Sequence, residues 1–149
     1  MLYLIDSNIL VYAEMDGMPE HNAAAAWLAK ALADAGSTII ATETSILSFL
    51  RITTNKRVFD PPLAFDRAAF FIEKFLNHSN VRIFRPSPTH FVDLADFMKK
   101  HNFGGNLAMD AHLAVVAMDT GAVLVTRDGD FNKIPYLKTL NPIGPYSDE

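Results

Sequence analysis

Cysteine is missing from this chain of 149 residues, and with it go disulfides, thiolate metal sites and cysteine nucleophiles. Basic charge is also scarce: 13 Lys and Arg stand against 17 Asp and Glu, so affinity for a polyanion cannot rest on a broadly positive surface. A nucleic-acid enzyme is still allowed, because bound divalent cations offset an acidic centre locally. No apolar run reaches the roughly 18 residues of a membrane span. The start, Met1-Leu2-Tyr3-Leu4-Ile5-Asp6, has no basic stretch ahead of a hydrophobic one, so neither a membrane anchor nor a secretion signal is expected. The cytoplasm is the expected location, and the lack of cysteine is compatible with it. Repeats, linkers and low-complexity tracts are absent too. Residues 1–149 are therefore expected to form one domain, long enough to bury roughly 70% of its unfolded surface without a staple.

What the chain does have is an alternation of strand-like and helix-like segments. Leu2 to Ile5 is a short apolar run followed by helical spacing through Ile9, Leu10, Tyr12 and Ala13. Ala23 to Ala35 is alanine-rich and ends at Gly36, a good helix terminator. Thr38 to Ala41 is brief and β-branched, and Thr42 is placed to cap a helix running through Ile46, Leu47, Phe49 and Leu50. Downstream, the spacing predicts a helix over Phe65 to Leu76, a strand over Val81 to Phe84 and a helix from about Thr89 to His101. Gly104-Gly105-Asn106 breaks the chain, with Asn106 a candidate N-cap for a central, largely apolar helix from Leu107 to Asp119. Ala122 to Val125 reads as a strand buried on both faces. This order predicts a three-layer α/β domain with a largely parallel sheet.

Four acids fall at the joints of this pattern: Asp6, Glu43, Asp110 and Asp128. Singly, each has a plain explanation as a helix or turn cap, or as an anion at a helix N-terminus. Together they say more. Asp6 and Asp128 end apolar strands, Glu43 follows a third, and the carboxyl edge of a parallel sheet is where sites assemble. Clustered carboxylates repel one another unless a cation or shared protons compensate. A donor set of oxygens alone points to a hard divalent ion, Mg²⁺ or Mn²⁺, and to phosphodiester hydrolysis.

Four phrases also carry a resemblance. Asp6-Ser7-Asn8-Ile9-Leu10-Val11-Tyr12-Ala13, Thr42-Glu43-Thr44-Ser45, Asp110-Ala111-His112-Leu113-Ala114 and Thr126-Arg127-Asp128-Gly129-Asp130-Phe131 together resemble the PIN-domain nucleases. Within them the chain is similar to the VapC toxins of type II toxin–antitoxin pairs, and Phe49-Leu50-Arg51-Ile52-Thr53-Thr54-Asn55 resembles the mycobacterial subgroup. The resemblance spans essentially the whole chain. It implies a three-layer α/β/α PIN-like fold and a Mg²⁺- or Mn²⁺-dependent endoribonuclease that inhibits translation. It also implies an RNA substrate, a VapB-type antitoxin and a homodimer. Asp6, Glu43, Asp110 and Asp128 are then the catalytic acids, with Asp6, Asp110 and Asp128 on the metal. Ser7, Asn8, Thr126 and Asp130 would orient those carboxylates or a water, and Asp130 competes with Asp128 for the last place in the site.

Other features are weighed against this reading. His21, His78, His90, His101 and His112 show no metal-ligand spacing and read as core or surface residues; His112 points away from Asp110. The lack of a histidine pair beside the motifs favours metal hydrolysis over a histidine-based ribonuclease route. Arg51 lies about 80° round its helix from Glu43 and is a candidate for contact with RNA, or for a salt bridge. Trp27, Leu28, Leu47, Phe49 and Leu50 offer more apolar area than one buried stripe takes up, which would leave a groove for an antitoxin helix. A receiver-like signalling module would need adjacent acids after the first strand, where Ser7 and Asn8 stand. A haloacid-type phosphatase would need Asp at the position of Asn8. A structure-specific DNA nuclease of the same superfamily shares the chemistry and is the nearest alternative.

Overall fold

Short runs of Leu, Ile and Val become strands here, and the alanine-rich and amphipathic stretches become the helices that cover them. The computed structural model describes residues 1–144. In chain order these are β1 (Leu2–Ile5), α1 (Ser7–Glu14), α2 (His21–Ala33), β2 (Thr38–Thr42), α3 (Glu43–Thr53), α4 (Phe65–Leu76), β3 (Val81–Phe84), α5 (Pro88–His101), α6 (Ala108–Thr120), β4 (Val123–Val125) and β5 (Thr139–Leu140). Single 3₁₀ turns at Gly105–Leu107 and Gly129–Lys133 lead into α6 and out of β4.

The five strands form one parallel sheet in the order β3-β2-β1-β4-β5. Tyr3 and Leu4 pair with Ile39 and Ile40 of β2 on one side and with Val123 and Leu124 of β4 on the other. Parallel strands need both faces covered. Leu4, Ile40 and Leu124 enter one core with Phe97 of α5 and Ala111 and Ala114 of α6. Their neighbours Ile5, Ile39, Ala41 and Val125 enter a second core with Ile9, Leu28, Phe49 and Phe75. The alternation of side chains along each strand thus divides the apolar runs between two helical layers.

Several boundaries differ from the sequence expectation for local physical reasons. α2 starts at His21 and stops before Gly36, because the Asp34 carboxylate accepts from Gly36 N at 2.9 Å and Ser37 Oγ at 2.7 Å and turns the chain early. Asn106 does not cap α6. It lies in the 3₁₀ turn, and α6 begins at Ala108 with no side-chain cap at all. β5 is a strand that periodicity did not predict; two residues are too few to show a period, and only pairing of Thr139 and Leu140 with Leu124 and Val125 defines it.

Leu124 is fully buried beneath α6. Since that helix is already built largely of small residues, it has little side-chain volume with which to refill a hole. Leu124→Ala should lower unfolding free energy by about 2–5 kcal/mol, read as a fall in the urea midpoint at unchanged slope. A loss below about 1 kcal/mol would mean that β4 is not packed as described.

Candidate metal centre at the sheet edge

In a parallel sheet every strand delivers its carboxyl end to the same edge. Here the strand order also reverses between β1 and β4, since the chain moves from β1 outward through β2 and β3 and then returns to β1's other side. The crevice at such a reversal is where an open α/β sheet accommodates a ligand. Asp6 and Thr126 are the first residues beyond β1 and β4 at that crevice, joined by Asp6 N donating to Val125 O at 3.0 Å.

Asp6 uses its two oxygens differently. One accepts from Ser7 N at 2.7 Å and so caps α1, while the other accepts from Thr126 Oγ1 at 2.7 Å. Capping and site building are therefore the work of one side chain. Thr126 is the hub of a small network: its hydroxyl also accepts from Asp128 N at 3.0 Å and from Asn8 Nδ2 at 3.4 Å. Asp128 in turn accepts from Asp130 N at 2.9 Å, which caps the following 3₁₀ turn. Asp110 sits in the first turn of α6 without capping it.

The electrostatics bring Asp6, Asp110, Asp128 and Asp130 together. Burial, then the charges of Asp128, Asp6 and Asp130, push the Asp110 carboxyl up to about 6. Burial also raises Asp6, against the lowering effect of the Thr126 and Ser7 hydrogen bonds, with Asp128 adding to the rise. Asp128 thus bears on both Asp6 and Asp110. Asp130 bears on Asp110 and pairs at its own surface position with Lys133 at 3.5 Å.

Two of the expected residues stand apart. Glu43 is the first residue of α3, exposed and paired with exposed Arg85 at 3.4 Å rather than with the other acids. Arg51 is exposed in the last turn of α3, roughly 12 Å of helix rise from Glu43, and forms no salt bridge among the described residues. Sequence reasoning missed Arg127. It is buried between Thr126 and Asp128, forms an ion pair with Glu20 and lies over the Tyr12 ring at 5.8 Å. The signal was available: alternation past a strand end sends Arg127 to the face opposite its two neighbours.

The expectation that no histidine pair lies near the motifs is corrected. His90 Nε2 and His112 Nδ1 are 2.8 Å apart and both side chains are buried. They are core residues, as expected, but spacing along the chain gave no sign that α5 and α6 would bring them together. The apolar groove is also relocated. Leu28 and Phe49 are buried, Trp27 packs edge-on against Tyr3, and only Leu47 of the expected set is broadly exposed. The groove lies between α2 and α4, with a volume of about 490 Å³ and a lining that includes Ala25, Leu28, Leu32, Phe70 and Phe71.

The donor chemistry fits a hard divalent cation. Burial, with the charges of Asp128, Asp6 and Asp130 added to it, raises the Asp110 carboxyl to about 6, and Asn8 Oδ1, on the side chain that donates to Thr126, is buried without a hydrogen-bond donor. Among the described residues no three acids or imidazoles already converge on one coordination point. The acids are linked by the Thr126 hydrogen bonds and by the electrostatic influence of Asp128, Asp6 and Asp130 on Asp110.

The comparisons with known proteins bear on the family and the fold. The PIN domain family model matches residues 3–136. Ribonuclease VapC37 of Mycobacterium tuberculosis is 30% identical over 130 residues, 87% of this chain and 90% of that protein. In structure, Mycobacterium tuberculosis VapC20, described as a sarcin-ricin loop cleaving toxin, superposes with a TM-score of 0.71 at 14% identity, covering 93% of this chain and 98% of that one. VapBC2 from Rickettsia felis, solved bound to a DNA fragment from its promoter, gives 0.62 at 23% identity, covering 95% and 98%. These two likenesses carry the fold.

A pH effect follows from Asp110. Its folded pKa, about 6, lies above the ordinary 3.8, so the fold favours the neutral acid and its contribution to stability is lost as pH rises from about 4 through 6. In EDTA at pH 7, Asp110→Asn should melt about 2–4 °C above the parent, on the order of 1 kcal/mol after allowing for partial exposure. The difference should vanish near pH 4. A variant that melts lower at pH 7 would mean that the carboxylate supports the helix instead.

Proposed function

The chain belongs to the PIN domain family, among the VapC ribonucleases, and from that premise we propose that it is the toxin ribonuclease of a toxin–antitoxin pair, hydrolysing RNA with Mg²⁺ or Mn²⁺. The observation that supports the metal dependence is the set of acids at the strand-order reversal, where Asp6 and Asp128 both meet the Thr126 hydroxyl and the charges of Asp128, Asp6 and Asp130 act on Asp110. Asp6, Asp110 and Asp128 would hold the ion. When bound, it supplies a water of lowered pKa and neutralises charge at the phosphate.

The chain's own residues do the rest. Thr126 Oγ1 and Ser7 N fix the two Asp6 oxygens, so that carboxylate is oriented before any ligand arrives. As a ligand Asp110 would have to be ionised, and with its carboxyl raised to about 6 that would couple cation affinity to pH. Glu43, the first residue of α3, would have to leave its exposed pair with Arg85 to position an attacking water or accept its proton. Direct attack by water leaves a 5′-phosphate and a 3′-hydroxyl.

For the partner, the groove between α2 and α4 has the apolar floor an amphipathic antitoxin helix needs, with Arg67 and Lys74 on its rim. Pairing of two copies is part of the same reading, supported by the broad exposure of Leu47 on α3 and of Phe91 and Val92 on α5.

Purified protein should cleave single-stranded or loop RNA in Mg²⁺ or Mn²⁺, stop in EDTA and leave 5′-phosphate ends. Full cleavage in chelator, or 2′,3′-cyclic phosphate ends, would overturn the metal route; equal cutting of single-stranded DNA would favour the DNA nuclease. Separately, Phe70→Glu on the exposed wall of the groove should weaken binding of the antitoxin helix at least about tenfold, the loss typical of an aromatic anchor, and leave RNA cleavage intact. Undiminished binding would place the antitoxin elsewhere.

A further inference from the structure

α6 carries Asp110 but has no amphipathic face to set its rotation. Every residue from Ala111 to Ala117 is buried, and most are small or β-branched apolar side chains. Apolar burial alone therefore discriminates little between rotations of such a helix. No side chain caps its N-terminus. Yet Asp110 must point one way to face Asp6 and Asp128.

The directional contact is the buried imidazole pair. His112 Nδ1 and His90 Nε2 are 2.8 Å apart, with ring centroids 4.9 Å apart at 84°. His90 is itself wedged at the start of α5 by Phe84 and Phe91, whose ring centroids are 5.6 and 5.4 Å away. Two residues of α-helix correspond to about 200° of rotation. Fixing His112 toward α5 therefore fixes Asp110 on nearly the opposite side of α6.

We propose that the His90–His112 hydrogen bond sets the rotation of α6, and that His112 is a positioning residue which aims Asp110 at the acidic pocket. The pair is an expensive way to fill a core. The outer nitrogens, His90 Nδ1 and His112 Nε2, are buried without partners, and apolar side chains of similar size would avoid that cost. Direction is what an apolar replacement cannot supply.

This inference rests on the metal reading above, and Mn²⁺ binding to the protein without RNA, followed by electron paramagnetic resonance, separates the two. The first variant is His90→Leu with His112→Leu, which removes the bond without orphaning a partner. The second is His90→Gln with His112→Asn, whose amide groups sit where Nε2 and Nδ1 were and can restore it. The leucine pair should bind Mn²⁺ at least about tenfold more weakly, as when a group orienting a ligand is lost, while melting in EDTA at or above the parent's temperature. The amide pair should recover most of the affinity. If the leucine pair does not fold, His90→Phe, with a ring of similar shape among Phe84 and Phe91, serves for the same comparison against His90→Gln. Parent-like Mn²⁺ affinity in the apolar variant overturns the positioning role and leaves the metal reading standing. So does an affinity that follows melting temperature across all variants without rescue by the amides. A parent protein that binds no Mn²⁺ overturns both.

Discussion

A single hydrogen bond, from Thr126 Oγ1 to Asp6 Oδ2 at 2.7 Å, ties together the ends of β1 and β4 at the place where the sheet's order reverses. Three groups of the acidic site meet at its hydroxyl. Asp6 is held by it, Asp128 is reached through the same hydroxyl, and Asn8 leans on that hydroxyl from the first turn of α1. A threonine suits this position because one hydroxyl can donate to a carboxylate while accepting from a backbone N–H and an amide. The bond also lowers the cost of burying Asp6, which desolvation alone would drive further toward its neutral form.

The pocket is assembled at the expense of the apo fold and is supported from outside. Repulsion among Asp6, Asp110, Asp128 and Asp130 is not relieved by an adjoining basic residue acting on Asp110. It is contained by packing: β1 and β4 are buried on both faces, so their ends cannot separate without opening two cores. Each buried Leu or Ile contributes roughly 1.5–3 kcal/mol, and several such residues on each strand outweigh a repulsion of the order of 1 kcal/mol. A stable parallel sheet is thus what allows four like charges to share its edge.

Much of this was legible in the sequence, for a definable reason. Strands β1 and β3, helix α4 and the Thr42 cap were readable because apolar period and capping chemistry are local properties; Thr42 Oγ1 does accept from Ser45 N at 3.1 Å. The order of the elements was enough to predict a parallel sheet, and a parallel sheet predicts that Asp6, Thr126 and Asp128 share an edge. What could not be read depended on long-range pairing. β5 exists only because β4 offers it an edge. Glu43 turns to Arg85, which lies beyond β3, and that partner follows from the β2–β3 register, where Thr42 pairs with Phe84. His90 and His112 meet because α5 packs on α6, a fact of tertiary packing that no spacing rule encodes.

The residues missed by sequence share a property: they hold the site from behind. Arg127 lies between two residues that serve the pocket, yet its guanidinium is buried on the opposite side, against Glu20 at the start of α2 and the Tyr12 ring of α1. A charge in that position resists being dragged through the sheet edge, because leaving Glu20 would strand a buried ion. The loop from Thr126 to Asp130 is therefore pinned on one face by an ion pair and on the other by the Thr126 network. On the far side of the sheet, the imidazole pair plays the corresponding part for Asp110. Acids that repel one another do not find a common pocket unaided. In this fold the contacts that orient them come in part from residues on the other side of their elements, Arg127 on Glu20 and His112 on His90.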